Sequence, residues 1–202
     1  MTQLSEGIAA APTAPPAAPP LNRGDKDGNP PGIKFLALLR EDLRNHGGTV
    51  FEQGFWAVAT HRFGNWRMGF PKPIRAPMTI LYRLMHLFVE CAAGISLPYT
   101  IRLGRNVRIW HHSGIILHAR SIGDGVQIRQ NTTMGIVSVD RPHDIPTIGN
   151  RVDIGCGACI LGGITIGDDC KIGANAVVIT DVPAGSTAVG IPARIIRRGD
   201  RA

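Results

Sequence analysis

Two adjacent histidines, His111 and His112, stand in the otherwise apolar or small stretch RIWHHSGIIL, residues 108–117. A neutral imidazole titrates near physiological pH, so it can remove the proton from a hydroxyl group as that group attacks an acyl donor. A histidine in an apolar run is also often only a packed core residue. The structural elements around the pair decide between these two interpretations.

The sequence around the pair repeats with a period of six residues. An aliphatic residue leads each unit, a small or apolar residue follows four positions later, and glycine often comes directly after the lead residue. The lead residues are Leu97, Leu103, Ile109 and Ile115, then, after a one-residue slip, Ile122, Ile128 and Met134, and finally Ile148, Ile154, Ile160, Ile166, Ile172 and Val178. This period predicts a mainly β fold, a triangular parallel β-helix in which three hexads complete one coil and the lead residues stack inside.

The hexad register predicts where the two histidines point. His111 and His112 take the third and fourth positions of their hexad, so both are expected to face outward rather than into the core. One coil later, Gln130 is predicted to lie beside His111 and Asn131 beside His112, with Cys156 further along the same row. An outward position favours a chemical role over core packing.

Other segments precede and follow the predicted solenoid. Helical periodicity precedes it, and Ala, Pro and Gly dominate the start of the chain. The predicted regions are a disordered segment at 1–33, a small α-helical region at 34–95, the β-helix at 96–195 with a protruding polar loop at 136–147, and a basic tail at 196–202. The third helix is expected to start after Pro77 and to run to about Gly94, with apolar side chains along one face.

Charge and composition limit the classes of partner that the protein is expected to bind. The formal charge of +7 favours an anionic partner, while the aromatic content of 5% and the lack of a mixed basic and aromatic tract argue against nucleic-acid binding. No export signal is recognised in residues 1–20, so we expect a cytoplasmic protein with reduced cysteines. The pair Cys156 and Cys159 has no second pair at ligand spacing, so no metal is expected. We expect no membrane span, and peripheral membrane contact by the third helix remains an alternative.

Three motifs carry a resemblance to a known family. They are GFWAVATHRFGNW (54–66), IWHHSGI (109–115) and VPAGSTAVGIPARII (182–196). Over roughly residues 35–197 the chain resembles the serine acetyltransferases, which belong to the hexapeptide-repeat acyltransferases. The resemblance implies a left-handed β-helix, O-acetyl transfer from acetyl-CoA to the hydroxyl of L-serine, and assembly as a homotrimer or a dimer of trimers.

The resemblance also implies roles for individual residues. His111 aligns with the family's general base, His112 and Gln130 are its expected neighbours in the acceptor site, and Arg141 and His143 in the loop are expected to bind the acceptor. The expected contacts with acetyl-CoA are Gly135, Cys156, Gly157, Ala158, Ala174, Gly190, Arg194 and Arg197.

The chain departs from the family pattern at two positions that usually hold aspartates supporting the base, where it has Trp110 and Ser96. The family's loop also has an adjacent Arg-His pair, whereas here Pro142 separates Arg141 from His143, so an acetyltransferase acting on a sugar hydroxyl in exopolysaccharide synthesis is an alternative. A non-catalytic hexapeptide scaffold is a second one. A metal-dependent lyase like the γ-class carbonic anhydrases is a third, and it would need His111, His118 and His143 to converge on one zinc ion.

Overall fold

The computed structural model describes residues 19–196, in which three helices precede a three-sided solenoid. The helices are α1 (Phe35–Asn45), α2 (Gln53–Trp66) and α3 (Lys72–Ala93), with a 3-10 turn at Arg67–Gly69. All three helices lie within the predicted helical region at 34–95, and α1 ends at two glycines. Gly47, with φ +80°, follows the last turn, and the Gly48 N–H donates to the Leu43 carbonyl at 2.9 Å.

Helix α3 begins earlier than predicted. It starts at Lys72, so Pro77 lies inside the helix. Proline there removes only one hydrogen bond, in the second turn, and the following turns keep theirs. The helix packs on the protein through Tyr82, Val89 and Ala93. Most of its expected apolar face is exposed at Leu81, Leu84 and Phe88. No helix in the described range 19–196 is long and apolar enough to cross a membrane.

Short strands build the three faces of the solenoid. They are β1 (Ile95–Ser96), β2 (Arg102–Leu103), β3 (Arg108–Ile109), β4 (Ile115–Leu117), β5 (Ser121–Ile122), β6 (Gln127–Ile128), β7 (Thr133–Gly135), β8 (Thr147–Ile148), β9 (Asp153–Ile154), β10 (Cys159–Leu161), β11 (Thr165–Ile166), β12 (Lys171–Ile172), β13 (Val177–Val178), β14 (Thr187–Val189) and β15 (Arg194–Ile196).

Strands one coil apart pair in parallel, as the hexad period predicts. Sheet A contains β1, β4, β7, β10 and β13; sheet B contains β2, β5, β8 and β11; sheet C contains β3, β6, β9, β12 and β14, with β15 antiparallel at its edge. Ile109 pairs with Ile128, and Ile128 pairs with Ile154. The lead residues fill the core, where all three are at most 1% exposed. The three-sided coil is confirmed.

The predicted register is wrong at one lead residue. Ile115 pairs with Ile95, and Leu117, not Ile115, stacks on Met134. Eight positions therefore separate Ile109 from Leu117, whereas six separate the corresponding leads of the next coils. The coil that contains the two histidines has two residues more than a regular hexad at this corner. The solenoid tolerates them because they lie outside the core.

Side chains of α2 cover the open backbone edge of the first coil. His61 Nε2 lies 2.9 Å from the Ile101 carbonyl, and Asn65 Nδ2 donates to the Tyr99 carbonyl at 2.9 Å. An uncovered edge would expose unpaired backbone groups. Burial lowers the pKa of His61 to about 3, so this ring stays neutral at physiological pH.

Arg62 also links the helices to the solenoid, through three hydrogen-bonded groups. Its guanidinium donates to the carbonyls of Leu103 and Gly104 at 2.8 and 2.6 Å. Its Nε also donates to the Asp42 carboxylate at 3.0 Å, and both side chains are fully buried. The ion pair supplies the counter-charge without which a buried arginine would be very unfavourable.

The N-terminal segment differs from the predicted disorder where it is described. Gly28 N–H donates to Asn65 Oδ1 at 3.1 Å, and Asn29 Nδ2 donates to the Arg62 carbonyl at 3.0 Å. Gly28 and Asn29 thus lie against α2 through polar contacts, which hydropathy alone does not reveal. The rest of the segment, 1–18, and the tail from 197 onward lie outside the described residues.

Candidate functional site

The two histidines form an insertion at the corner where the chain turns from sheet C to sheet A, here called the CA corner. Before them, Trp110 N–H donates to the Ile128 carbonyl at 2.7 Å, as in a regular coil. After them, the Ser113 carbonyl accepts from Asn131 N–H at 3.1 Å. One coil on, the Gln130 carbonyl accepts from Gly157 in the same way, at 3.0 Å. Ser113 is therefore the structural counterpart of Gln130, and His111–His112 are the two additional residues.

This arrangement corrects the predicted neighbours of the histidines. Asn131 lies beside Gly114 and not beside His112. Gln130 and Cys156 are in one row with Ser113 and not with His111. The outward orientation is confirmed, since both histidines are exposed. Within residues 19–196, the His111 ring makes no hydrogen bond to the protein, so both ring nitrogens can face a substrate.

The backbone of the insertion is strained. His111 and Ser113 have φ values of +64° and +83°, and Gly114 follows at +65°. Regular corners of this solenoid have one such residue, for example Asn131 at +60° or Asn175 at +56°. A left-handed conformation at a residue other than glycine costs on the order of 1–3 kcal/mol, and such strain clusters at functional sites. The surrounding structure holds the histidines in this conformation.

Two anchors hold the ends of the insertion. On the entering side, the Arg108 guanidinium stacks on the Trp110 ring at 3.5 Å, and Trp110 Nε1 donates to Gln127 Oε1 at 2.8 Å. On the leaving side, Ser113 N–H donates to the Ala93 carbonyl at 2.7 Å. Trp110, which replaces a family aspartate, is thus a structural anchor.

A carboxylate that the sequence reasoning missed lies at the start of the solenoid. Glu90, in the last turn of α3, accepts a 2.6 Å hydrogen bond from Ser96 Oγ. His86 Nε2 lies 3.4 Å from the same carboxylate oxygen. Ser96 occupies the second position where the family usually has an aspartate. Helix α3 therefore places a carboxylate beside Ser96 of β1.

A row of corresponding residues, one from each coil, leads away from the histidines along the CA corner, and its side chains become smaller from Gln130 onward. Its members are Ser113, Gln130, Cys156 and Ala174. Cys156 is half-buried with a free thiol, and Ala174 is exposed. Gly157, next to this row, has φ +71°, and a Cβ there would lie 2.0 Å from Asn175 Oδ1, so a side chain at this position would have to displace that of Asn175.

The other predicted acetyl-CoA contacts lie in different surroundings. Ala158 is fully buried in the core, so its side chain does not face a ligand. Gly190, with φ +98°, and the exposed Arg194 lie at the last coil. Gly135 is the last residue of β7, where the chain leaves sheet A. Arg197 lies outside the described residues.

The protruding loop lies between β7 and β8, where the chain turns from sheet A to sheet B, here called the AB corner. It separates its two predicted acceptor residues. Arg141 pairs with Asp144 at 3.3 Å and lines a groove of about 290 Å³. His143 lines a different cavity, of about 650 Å³, together with His118. His111 lies at the CA corner, so the three histidines of the metal alternative do not converge within one chain.

The comparisons with known proteins agree with this fold. Residues 145–180 match the family model described as bacterial transferase hexapeptide (six repeats). A serine acetyltransferase of Helicobacter pylori (strain ATCC 700392 / 26695) is 44% identical over 117 residues, which is 57% of this chain and 68% of that protein. One of Staphylococcus xylosus is 38% identical over 185 residues, 84% of this chain and 81% of that protein.

A solved structure gives the same result. The soybean serine acetyltransferase apoenzyme superposes with a TM-score of 0.67 at 30% identity, covering 80% of this chain and 69% of that one. The left-handed β-helix predicted for the fold is thereby confirmed. Neither the polysaccharide acceptor nor the scaffold alternative is favoured by these relatives. The chain belongs to the serine acetyltransferase family and is an acyltransferase.

Proposed function

We propose that the protein transfers the acetyl group of acetyl-CoA to the hydroxyl of L-serine, with His111 as the general base. The observation that carries the proposal is the two-residue insertion, which presents an exposed, hydrogen-bond-free imidazole on a strained backbone beside a regular solenoid edge. Membership of the serine acetyltransferase family supports the reaction, and one structural relative is a soybean enzyme complexed with serine.

The chemistry follows from the properties of an imidazole. Neutral His111 accepts the proton of the serine hydroxyl while the oxygen attacks the thioester carbonyl of acetyl-CoA. The tetrahedral intermediate then collapses, the carbon–sulfur bond breaks, and the imidazolium returns its proton to the leaving thiolate. The products are O-acetyl-L-serine and CoA. Backbone N–H groups stabilise the oxyanion of the intermediate, and we propose Gly135 as one donor.

We propose that acetyl-CoA lies along the CA corner. The row after Ser113 ends in the small residues Cys156 and Ala174, which permit close approach of the pantetheine arm. Gly190 and the exposed Arg194 continue this surface at the last coil, where we propose that Arg194 meets the phosphates of CoA. The sequence also offers Arg197 for this role, which lies outside the described residues. Ala158 supports this surface from inside.

The proposed active site needs two copies of the chain. His111 lies at the CA corner, whereas Gly135, Arg141 and His143 lie at the AB corner, at the other end of sheet A. Within one copy, the four residues of extended chain from Gly114 to His118 span roughly 13 Å, and this distance separates the two corners. We therefore propose a homotrimer in which the loop of one copy reaches the histidines of the next, in the cytoplasm, where the free thiols stay reduced.

Release of CoA tests the reaction directly. The purified protein is mixed with acetyl-CoA and a thiol dye, and L-serine is compared with a panel of sugars and nucleotide sugars. The proposal predicts serine-dependent thiol release that is lost in His111→Ala. Release that depends on a sugar and not on serine would move the acceptor assignment to the polysaccharide alternative. No release with any acceptor, and no binding of CoA by calorimetry, would contradict the enzyme proposal.

A further inference from the structure

The side of helix α3 that faces away from the protein is apolar and exposed. Tyr82, Val89 and Ala93 form the opposite, buried side. Six large apolar residues, each between 50 and 63% exposed, form what is here called the outer face of α3: Ile74, Ile80, Leu81, Leu84, Leu87 and Phe88. The outer face is about 21 Å long from Ile74 to Phe88. Contiguous apolar surfaces of this kind mark sites of interaction with a protein or a membrane.

Aromatic side chains extend the outer face near the C-terminal end of the helix. The Trp56 ring packs on Phe88, with ring centroids 5.6 Å apart. Trp56 Nε1 donates to the Val50 carbonyl at 2.6 Å, which holds the segment with Val50 and Phe51 next to the helix. Both residues are exposed, Phe51 by 81%. Exposed aromatic and leucine side chains on one face are typical of helices that lie in a membrane interface.

The charged groups at the edge of the outer face are basic. Lys72 and Arg83 are exposed, and they lie about three turns apart, so both are on the same edge. Within residues 19–196 neither forms an ion pair. Arg75 is a third basic residue of α3, and Glu90 is its only acidic one. Glu52 and Glu90, at the other end of the face, are half-buried. The exposed charge along the outer face is therefore positive.

We infer that the outer face of α3 docks the protein on the surface of an anionic lipid bilayer, with the helix parallel to the surface. The apolar side chains enter the boundary between headgroups and acyl chains, while Lys72 and Arg83 meet the lipid phosphates. Charge favours this partner over a second copy of the chain, because a second copy carries the same formal charge of +7. The face belongs to one helix and is convex, so it enters a bilayer without a complementary groove. The docking does not depend on the acetyl-transfer reaction.

Co-sedimentation of the full chain with lipid vesicles tests the docking. Vesicles of phosphatidylcholine are compared with vesicles of an equal mixture of phosphatidylcholine and phosphatidylglycerol, at low and at high salt. We expect saturable binding to the mixed vesicles, roughly 10-fold weaker binding to phosphatidylcholine alone, and weaker binding to the mixed vesicles at high salt. No saturable binding to the mixed vesicles, or equal binding to both kinds of vesicle, overturns the inference.

Variants locate the docking face. The double variant Leu84→Gln with Leu87→Gln should bind the mixed vesicles about 10-fold more weakly or worse, and Arg83→Gln about 5-fold more weakly. Leu36→Gln and Arg40→Gln make the same changes at exposed residues of α1 and should bind as the wild type does. Thermal midpoints verify that each variant is folded. Wild-type affinity in the double variant, or an equal loss in Leu36→Gln, contradicts docking through α3.

Light scattering without lipid identifies the rival occupant of the outer face. If the wild type does not bind vesicles and the Leu84 and Leu87 double variant loses an assembly that the wild type forms, a second copy covers this face and the inference is wrong. Vesicle binding by a protein that does not acetylate serine would contradict the proposed function alone.

Discussion

Ser96 Oγ donates a 2.6 Å hydrogen bond to the carboxylate of Glu90, which ties the first strand of the solenoid to the last turn of α3. The resemblance to the serine acetyltransferases implies an aspartate at the position of Ser96. In this chain the carboxylate beside β1 belongs to Glu90 of α3 instead. Both side chains are half-buried, and Ser96 pairs through β1 with Ile116, on the strand that follows the histidine insertion.

Restoring the family aspartate should therefore be unfavourable on its own. Ser96→Asp places a second carboxylate against Glu90, and the like-charge contact should lower the free energy of unfolding by about 1–2 kcal/mol for a partly exposed pair. The double variant Ser96→Asp with Glu90→Gln should recover most of that loss. Urea unfolding of the four proteins in this double-mutant cycle measures the coupling. Additive effects of the two substitutions would show that the side chains do not interact.

Deleting His111 and His112 should produce a regular hexad. Ser113 would then follow Trp110 directly, as Gln130 follows Arg129 one coil later. The deletion removes a strained residue, so we expect the thermal midpoint to stay within a few degrees of the wild type or to rise, while serine acetylation is abolished. The control is deletion of Gln130 and Asn131, which shortens a regular hexad and should unfold the protein. If both deletion variants are unfolded, the solenoid needs the two additional residues in order to fold.

The buried ion pair should matter far more than its exposed neighbour. Burial raises the pKa of the Asp42 carboxyl and the Arg62 guanidinium opposes that rise. Asp42→Asn leaves Arg62 buried without its counter-charge, so we expect a loss of about 3–5 kcal/mol in the free energy of unfolding. Glu41→Gln, which breaks the adjacent surface pair with Arg105, is the matched control and should cost much less. Equal losses in denaturant unfolding would contradict the role assigned to Asp42.

Stability should fall as the pH drops below about 6.5. The folded protein holds the pKa of His61 at about 3, whereas an unfolded chain binds that proton near pH 6.5. The contribution of His61 is therefore complete above pH 6.5 and is lost toward pH 3, at up to about 1.4 kcal/mol per pH unit. Burial lowers the pKa of His46 as well, which adds in the same direction.

The variant His61→Gln separates this contribution from the rest. A glutamine Nε2 can still donate to the Ile101 carbonyl but does not titrate, so the slope of unfolding free energy against pH should flatten between pH 6.5 and 4. The exposed His112→Gln should leave the slope unchanged. An unchanged slope in His61→Gln would mean that another group causes the acid sensitivity.

The sequence predicted the coil well and the CA corner that holds the two histidines poorly, for a physical reason. The six-residue period is repeated by many buried leads, so single deviations do not hide it. At the histidines, two added residues before Leu117 are followed by a turn to Ile122 that is one residue short, so the sequence shows a net slip of only one. Ile115 is itself aliphatic and buried, and so it resembled a lead residue.

The contacts between distant segments could not be predicted from spacing. Arg62 and His61 looked like helix residues of α2, and nothing local shows that they meet carbonyls of the first coil. Glu90 reaches Ser96 only because α3 ends at Gly94 in a left-handed conformation, φ +62°, and turns the chain back. The separation of Arg141 from His143 likewise depends on how the loop folds, which no periodicity encodes.

The central claim is that His111, and not its neighbour, is the base for acetyl transfer. The turnover number for L-serine should fall by roughly 100-fold or more in His111→Ala, the usual scale for a general base, and much less in His112→Ala. Thermal midpoints of both variants verify that each is folded. A larger loss of kcat in His112→Ala than in His111→Ala would contradict the account. Equal, small losses in both variants would mean that the base does not lie at the CA corner.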